Sequence, residues 1–298
     1  MANKNTKIKD SLDDKIMYTV VTTIMIIFLI IILYPLIFVL SSSFSSGLAV
    51  TAGRVILWPV DFSITGYKIL LGYKSVWTGY KNTIIYTVGG TAINMVLTVC
   101  AAYPLSRRNF QGRNLYMMFF MFTMFFGGGL IPNYLVKMKL GLVDNRLVLM
   151  LGMSVYNTII MRTFFCNSVP GELLEAAKID GISDFGYLFK ILIPLSKAVF
   201  AVITLYYSVG HWNSYFGAML YLRGREKYPL QLILRDIMKS ANVDLTDIDD
   251  PELIAQLKGA ADLIKYALIV VSTVPILCVY PFVQRYFEKG VMIGSVKG

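Results

Sequence analysis

Residues 17–40 read MYTVVTTIMIIFLIIILYPLIFVL, an uncharged and almost wholly apolar run. A helix needs about 20 residues to cross the hydrocarbon core of a bilayer, and it satisfies its own backbone hydrogen bonds there. The run is longer than the core of a signal peptide and no clear small-residue cleavage site follows it, so we expect it to be retained as a membrane span. This stretch predicts an integral membrane protein.

Similar apolar runs recur along the chain. Hydrophobic residues make up 56% of the sequence, charged residues make up 15%, and the mean hydropathy is +0.62. This balance is typical of a polytopic membrane domain and excludes an ordinary water-soluble one. We therefore predict an all-α integral membrane protein with about six transmembrane helices. The predicted spans are residues 17–40, 83–105, 115–136, 147–165, 198–222 and 266–283.

These spans form one transmembrane domain, residues 17–290, between an N-terminal segment, 1–16, and a C-terminal tail, 291–298. An even number of spans puts both termini on one side. The Lys-rich N-terminus and the arginines that follow the second span suggest that this side is cytoplasmic, although basic residues divide evenly between the two sides. The last outer loop contains an acidic stretch, 244–252, which is either a solvated surface or a contact for a soluble partner. The predicted outer loops are 41–82, 137–146 and 223–265.

The net charge of +10 comes from Lys and Arg residues that lie mainly between the apolar runs. There they can meet lipid headgroups and fix topology, so we do not expect nucleic acid as a partner. No G-x-x-x-x-G-K-[ST] loop occurs, so the chain cannot bind ATP in the Walker manner. One histidine and three scattered cysteines offer no metal or redox site. We expect neither an enzyme activity nor a cofactor on this chain.

The loop between the predicted fourth and fifth spans, residues 168–195, contains PGELLEAAKIDGISDFGYLFKILIPL from residue 170 onward. The pattern is helix, glycine turn, helix. Pro170 suits a helix start, Gly181 offers the left-handed conformation that ends a helix, and Ser183 can cap the next helix. A docking element for a soluble partner and a plain interfacial connector are both open on these grounds. The second helix has an apolar stripe at helical spacing, made by Phe185, Leu188, Phe189 and Leu192.

This loop resembles the EAA loop of permease subunits of ATP-binding-cassette (ABC) importers. Glu175-Ala176-Ala177 is followed by Gly181, six residues after the Glu, and by Pro194, thirteen residues after the Gly. Asp180 before the Gly is similar to the carbohydrate-uptake family of type I importers. Further similarity points to the branch linked to oligosaccharides or polysaccharide fragments, in residues 127–134, 212–213, 228–231 and 290–298.

The resemblance implies a type I ABC importer permease fold in the bacterial cytoplasmic membrane, with the EAA loop and both termini in the cytoplasm. It also implies partners: a second, different permease, two ATPase subunits that carry ATP and Mg²⁺, and an extracytoplasmic solute-binding protein that the outer loop 223–265 would contact. Carbohydrate would then cross by alternating access. The contact with the ATPase is expected at Glu175, Ala176, Ala177, Asp180, Gly181 and Pro194.

Two further groups of residues are candidates for the transport pathway. Sugars are held by aromatic faces and by hydrogen-bonding side chains, but the same residues also fit helix packing or an aromatic belt. The pathway candidates are Asn94, Tyr156, Asn157, Tyr206, His211, Trp212, Asn213 and Tyr215. A break in the third span is either a hinge or a close-packing surface for the second permease, and it consists of Gly127, Gly128, Gly129 and Pro132.

Two other functions remain open at this point. An ATP-independent secondary transporter or channel would fit the topology and the glycine break, and so would a membrane scaffold without a pathway. Both leave the spacing of the EAA loop unexplained. Co-purification with an ATPase and with a second six-span chain would separate them from an ABC permease.

Overall fold

The structure is a computed structural model and describes residues 11–167, 169–241 and 251–295. Every regular element in these ranges is a helix, and no strand occurs in them, which confirms the all-α prediction. In these ranges, three helices are long and apolar enough to cross a membrane, or five if each of two bent pairs is one span. The six spans and the cytoplasmic end segments therefore stay predictions. The acidic stretch 244–252 lies, up to residue 250, outside the described residues.

Fifteen α-helices follow one another along the described residues. Their bounds are α1 Leu12–Ser43, α2 Gly47–Thr51, α3 Thr65–Gly72, α4 Lys74–Ser106, α5 Arg113–Phe125, α6 Leu130–Lys139, α7 Leu147–Met150, α8 Val155–Asn167, α9 Glu172–Ile179, α10 Asp184–Tyr187, α11 Ile193–Leu195, α12 Lys197–Trp212, α13 Phe216–Tyr221, α14 Leu230–Ala241 and α15 Pro251–Ser295. A π-helix, Leu188–Leu192, joins α10 to α11, and a 3₁₀ turn, Arg225–Lys227, precedes α14.

One compact unit comprises Met1–Leu70 and Ala241–Val270. Its first helix, α1, begins with a capping box between Ser11 and Asp14, and its most apolar stretch buries no residue within the chain. A small core forms instead where α2 and α3 meet the first half of α15. Helix α1 therefore offers its apolar sides to lipid or to another chain.

The second unit comprises Leu71–Ser240 and Val271–Gly298, and helix α4 lies at its centre. Helices α8 and α12 pack along α4. Polar side chains join these helices in pairs, with Thr98 and Tyr207 oxygens 2.7 Å apart and Thr91 and Ser208 oxygens 3.2 Å apart. Such bonds between helices suit an apolar surrounding, where an unpaired polar group is costly. This bundle positions the candidate sites.

Three of the predicted spans are interrupted in the structure. The third is bent by 118° between α5 and α6, where three glycines leave the helical conformation. The fourth has no helix at residues 151–154, between α7 and α8, and the fifth has none at 213–215, between α12 and α13. Asn213 and Ser214 occupy the latter break, and their side chains favour caps and turns over helix interiors. The apolar pattern alone did not reveal these breaks.

Candidate functional site

The EAA loop folds as two short helices joined at Gly181, which adopts φ +71°. The Gly181 N–H donates to the Lys178 carbonyl at 3.1 Å, and the Ile182 N–H donates to the Ala177 carbonyl at 2.8 Å. This pair of bonds is a Schellman motif, which requires a left-handed residue at this position, so glycine is the natural choice. It ends α9 and sets the direction of the following helix. We call residues 172–195 the elbow.

The second half of the elbow begins where the Ser183 hydroxyl accepts a hydrogen bond from the Gly186 N–H at 3.2 Å. Helix α10 then widens into the π-helix. The residues of the predicted apolar stripe divide between two sides: Leu188 and Leu192 are buried, whereas Phe185 and Phe189 are exposed. The axis turns by 83° into α12.

The inner side of the elbow packs into the bundle. Ala177 is 2% exposed and Tyr187 is 1% exposed, and both belong to one cluster with Met161 and Phe165 of α8. Ala177, predicted as a contact with the ATPase, therefore contacts its own chain. Its small side chain lets α9 approach the ends of the spans.

The outer side of the elbow is exposed, and its protruding apolar residues are Ile179, with 87% of its surface exposed, and Phe185, with 76%. Sequence reasoning named Phe185 as part of the apolar stripe but missed Ile179, whose only signal is that it flanks the glycine turn. Among the described residues, no ion pair involves the elbow's carboxylates. Pro194 is also exposed. We define the elbow face as Glu175, Ala176, Ile179, Asp180, Gly181 and Phe185.

Asn94 and His211, two of the pathway candidates, lie inside the bundle. With the Asn94 amide oriented so that Oδ1 accepts from His211 Nε2 at 2.9 Å, its Nδ2 donates to the carbonyls of Met150 at 2.8 Å and Gly152 at 2.6 Å. Those carbonyls belong to the break between α7 and α8. Non-helical backbone at membrane depth persists only where such groups are satisfied within the protein. The pair thus stabilises the broken helix.

The remaining pathway candidates separate into buried and exposed residues. Asn157 is buried, and the buried Trp212 indole donates to the Ser272 carbonyl at 2.9 Å. The structure does not gather the eight candidates into one site. Tyr207, which sequence reasoning missed, instead connects α12 to Thr98 and to the Ser154 N–H. The exposed candidates are Tyr156, Tyr206, Asn213 and Tyr215.

The glycine break at residues 127–129 is exposed on all sides within the described chain. A Cβ added to Gly127 or Gly128 would meet no atom within 4 Å, and neither α5 nor α6 contains a buried residue. Pro132 lies in the first turn of α6, where a proline is tolerated. The segment bends, and its role as a hinge or as a packing surface stays a prediction.

The loops at the opposite end of the bundle from the elbow are tied together at Asp144. The Lys227 ammonium lies 2.8 Å from its carboxylate, and the Arg223 N–H donates to it at 3.0 Å. These hydrogen bonds, led by that from Lys227, lower the pKa of Asp144 to about 2. Asn82 and Tyr86 of α4 bind the same segment through its backbone carbonyls. The start of the predicted outer loop 223–265 is therefore fixed to the bundle.

A family model described as "Binding-protein-dependent transport system inner membrane component" matches residues 75–293, which run from the first turn of α4 through the elbow into α15. The chain belongs to this family. The predicted EAA-loop resemblance is thereby confirmed. A permease of this family is a membrane transport subunit and not an enzyme, so an ATP-independent transporter or a scaffold is not favoured.

Individual relatives agree with this assignment. The chain is 39% identical to "Polygalacturonan/rhamnogalacturonan transport system permease protein YtcP" of Bacillus subtilis, over 97% of this chain and 100% of that protein. It is also 39% identical to "Protein LplC" of the same organism, over 89% of each chain. A crystal structure of "a bacterial ABC transporter involved in the import of the acidic polysaccharide alginate" contains a chain that matches with a TM-score of 0.83 and 39% identity, over 94% of this chain and 100% of that one. This chain is accordingly an ABC importer permease.

Proposed function

We propose that this permease is one half of a heterodimeric pathway that imports acidic oligosaccharides, such as uronate-rich polysaccharide fragments, across a bacterial cytoplasmic membrane. Two ATPase subunits with ATP and Mg²⁺ bind on the cytoplasmic side, where both termini also lie. A solute-binding protein delivers the sugar on the outer side. Transport proceeds by alternating access of a central cavity between the two permeases.

The acidic substrate class is supported by two full-length similarities. Polygalacturonan and alginate are both polymers of uronic acids, and the proteins named for them share 39% identity with this chain. The charge of segments 137–146 and 223–240 also fits, because basic groups attract anionic solutes and raise their rate of encounter. The rest of the predicted last outer loop, residues 241–265, is acidic in contrast. The two basic segments contain three acidic and eight basic residues, the latter being Lys137, Lys139, Arg146, Arg223, Arg225, Lys227, Arg235 and Lys239.

Coupling to the ATPase is assigned to the elbow face. Ile179 and Phe185 expose large apolar side chains on either side of the glycine turn. Exposed apolar residues with acidic groups around them are typical of a protein–protein interface. Glu175 and Asp180 supply those carboxylates and find no ion-pair partner among the described residues of the chain. A cleft on the ATPase that has apolar residues at its base and basic residues around them would complement this face. Helix α12, which starts directly after the elbow, then receives the motion.

A transport assay with charge-matched sugars tests the substrate class. The complete complex is placed in vesicles with internal ATP, and the uptake of oligogalacturonate is compared with that of its neutral methyl ester of equal length. We expect ATP-dependent uptake of the acid and little uptake of the ester. Preferential uptake of the ester, or equal uptake of both, would contradict the proposal.

A charge reversal on the elbow face tests the coupling role separately. Glu175→Lys is expected to abolish ATP-dependent uptake while the complex still assembles, because a lysine would oppose a basic group on the ATPase. The matched control is Asp13→Lys, an exposed reversal in the first turn of α1. If both variants transport normally, the elbow face is not the coupling contact.

A further inference from the structure

A cavity of about 830 Å³ lies beside helix α9, and Glu175 is the residue of the elbow face that also lines it. Its walls come from the end of α4, the loop from α4 to α5, the end of α8 and the start of α9. Its most notable lining residues are four arginines from three segments of the second unit, namely Arg107, Arg108, Arg113 and Arg162.

The cavity carries an excess of positive charge. Lys178 joins the four arginines, and three carboxylates also line the cavity, so the charges sum to +2. None of these cations forms an ion pair within 4.0 Å in the described part of the chain, although the carboxylates share the same cavity. An anion could therefore meet the guanidinium groups without first displacing an existing partner. The carboxylates are Glu172, Glu175 and Asp184.

Two of the arginines are held in place and keep most of their donors free. Arg107 donates from Nε to the Ser106 hydroxyl at 3.0 Å and stacks over the ring of Tyr187, 5.4 Å from its centroid. Arg162 donates from Nε to the Leu105 carbonyl at 3.2 Å. A guanidinium has five N–H donors, so each retains its terminal fork. Such forks match the oxygen atoms of a phosphate in a bidentate manner.

The place of the cavity in the chain sets its depth in the membrane. It lies where the predicted second and fourth spans end and the third begins, at residues 105, 165 and 115. Those ends lie at the level of the lipid headgroups on the cytoplasmic side. Basic pockets between helices at this level suit anionic phospholipids. A volume of this size also accommodates a headgroup.

We propose that this cavity binds the phosphate group of an anionic phospholipid headgroup. The bound phosphate would bridge the loop from α4 to α5, which carries Arg108, and the wall formed by α9 and α8, which carries Lys178 and Arg162. Since α9 is the first helix of the elbow, the lipid would brace the coupling element against the spans. The inference rests on the proposed orientation of the permease but not on its substrate.

Lipid retention by the purified complex tests the proposal. The complex is extracted from membranes that contain both phosphatidylglycerol and phosphatidylcholine, and the bound lipid is measured by native mass spectrometry. The double variant Arg108→Gln, Arg113→Gln is expected to hold phosphatidylglycerol about fivefold less tightly for each arginine removed, since each basic residue near the surface contributes about that factor. Binding of phosphatidylcholine should not change.

The matched control is Lys190→Gln, Lys197→Gln, which removes the same charge from exposed positions outside the cavity. It should retain phosphatidylglycerol like the unmodified complex. Equal retention by the arginine variant and the control would overturn the proposal. Millimolar inorganic phosphate is the second probe. If it displaces the lipid and stabilises the complex equally well on its own, the cavity binds a free ion and the proposal of a lipid headgroup is wrong. Because retention is measured without transport, failure here leaves the proposed import function intact.

Discussion

Gly181 is the residue on which the geometry of the elbow depends. A residue with a side chain loses about 1–2 kcal/mol in the left-handed conformation that Gly181 adopts at φ +71°. Gly181→Ala should therefore shift the elbow and lower the ratio of sugar uptake to ATP hydrolysis, both measured on the reconstituted complex.

Gly171→Ala is the matched control for that change. Gly171 caps the start of helix α9 at φ −64°, whereas Gly181 follows its end. Neither glycine has an atom within 4 Å of an added Cβ, so the backbone conformation is the main difference between the two sites. Normal coupling in both variants would show that the left-handed turn does not matter for transport.

Gly90 is the second residue with a specific requirement, because a Cβ there would lie 2.5 Å from the His211 ring. Gly90→Ala should push His211 away from Asn94 and lower the free energy of unfolding by about 1–3 kcal/mol, the usual cost of overpacking. Thermal unfolding in detergent measures the change. Gly210→Ala, with open space around its Cβ, should be neutral or stabilising; an equal loss in both would contradict the close contact.

At the residue scale, sequence reasoning found the residues that a local rule governs. Gly181 and Ser183 act as predicted, because turn and cap chemistry depends on neighbours in the chain. It could not assign a role to Asn94 or His211. Asn94 binds His211 and the carbonyls at a helix break, and no local sequence pattern predicts that break. Whether a polar residue in a span faces sugar or another helix depends on packing alone.

At the scale of elements, the loops that Asp144 joins are stabilised by an ion pair whose strength depends on pH. The pKa of Asp144 is lowered from 3.8 to about 2 in the folded protein. The pair therefore contributes stability fully above pH 3.8, and the contribution is lost as the pH falls through about 2. Asp144→Asn removes this charge, and asparagine tolerates the positive φ at this position.

The melting temperature of the two proteins should accordingly differ by a constant amount above pH 3.8 and converge as the pH approaches about 2. A thermal unfolding series in detergent across this range measures the effect. Asp61→Asn, at a residue that also has a positive φ and an ion pair but lies more exposed, is the control. A difference that persists unchanged down to the lowest pH would assign the effect to shape instead of charge.

The elements also show where apolar periodicity fails. It located the apolar runs but treated residues 147–165 and 198–222 as continuous helices, because a break changes the conformation and not the hydropathy. The glycine run at 127–129 was visible in the sequence, since glycine weakens a helix directly. The π-helix at the elbow had no such signal in the sequence.

At the scale of the whole molecule, much of the apolar surface is exposed among the described residues. The most apolar stretch of α1 and both helices around the glycine break contain no buried residue there. We predict that affinity purification of this permease recovers an ATPase and a second permease, and that the purified polypeptide alone transports no sugar in vesicles. Solute flux through the isolated chain would contradict its role as one half of a pathway.

Helix α12 connects the elbow to the other end of the helix bundle. Its 16 residues measure about 24 Å, nearly the thickness of the hydrocarbon layer. One residue separates it from the elbow. At its other end the Trp212 indole donates to the Ser272 carbonyl of α15. The Tyr80 hydroxyl of α4 donates to the neighbouring Val271 carbonyl. A small movement of the elbow would therefore be carried along a stiff helix to its other end, where it meets contacts with two neighbouring helices.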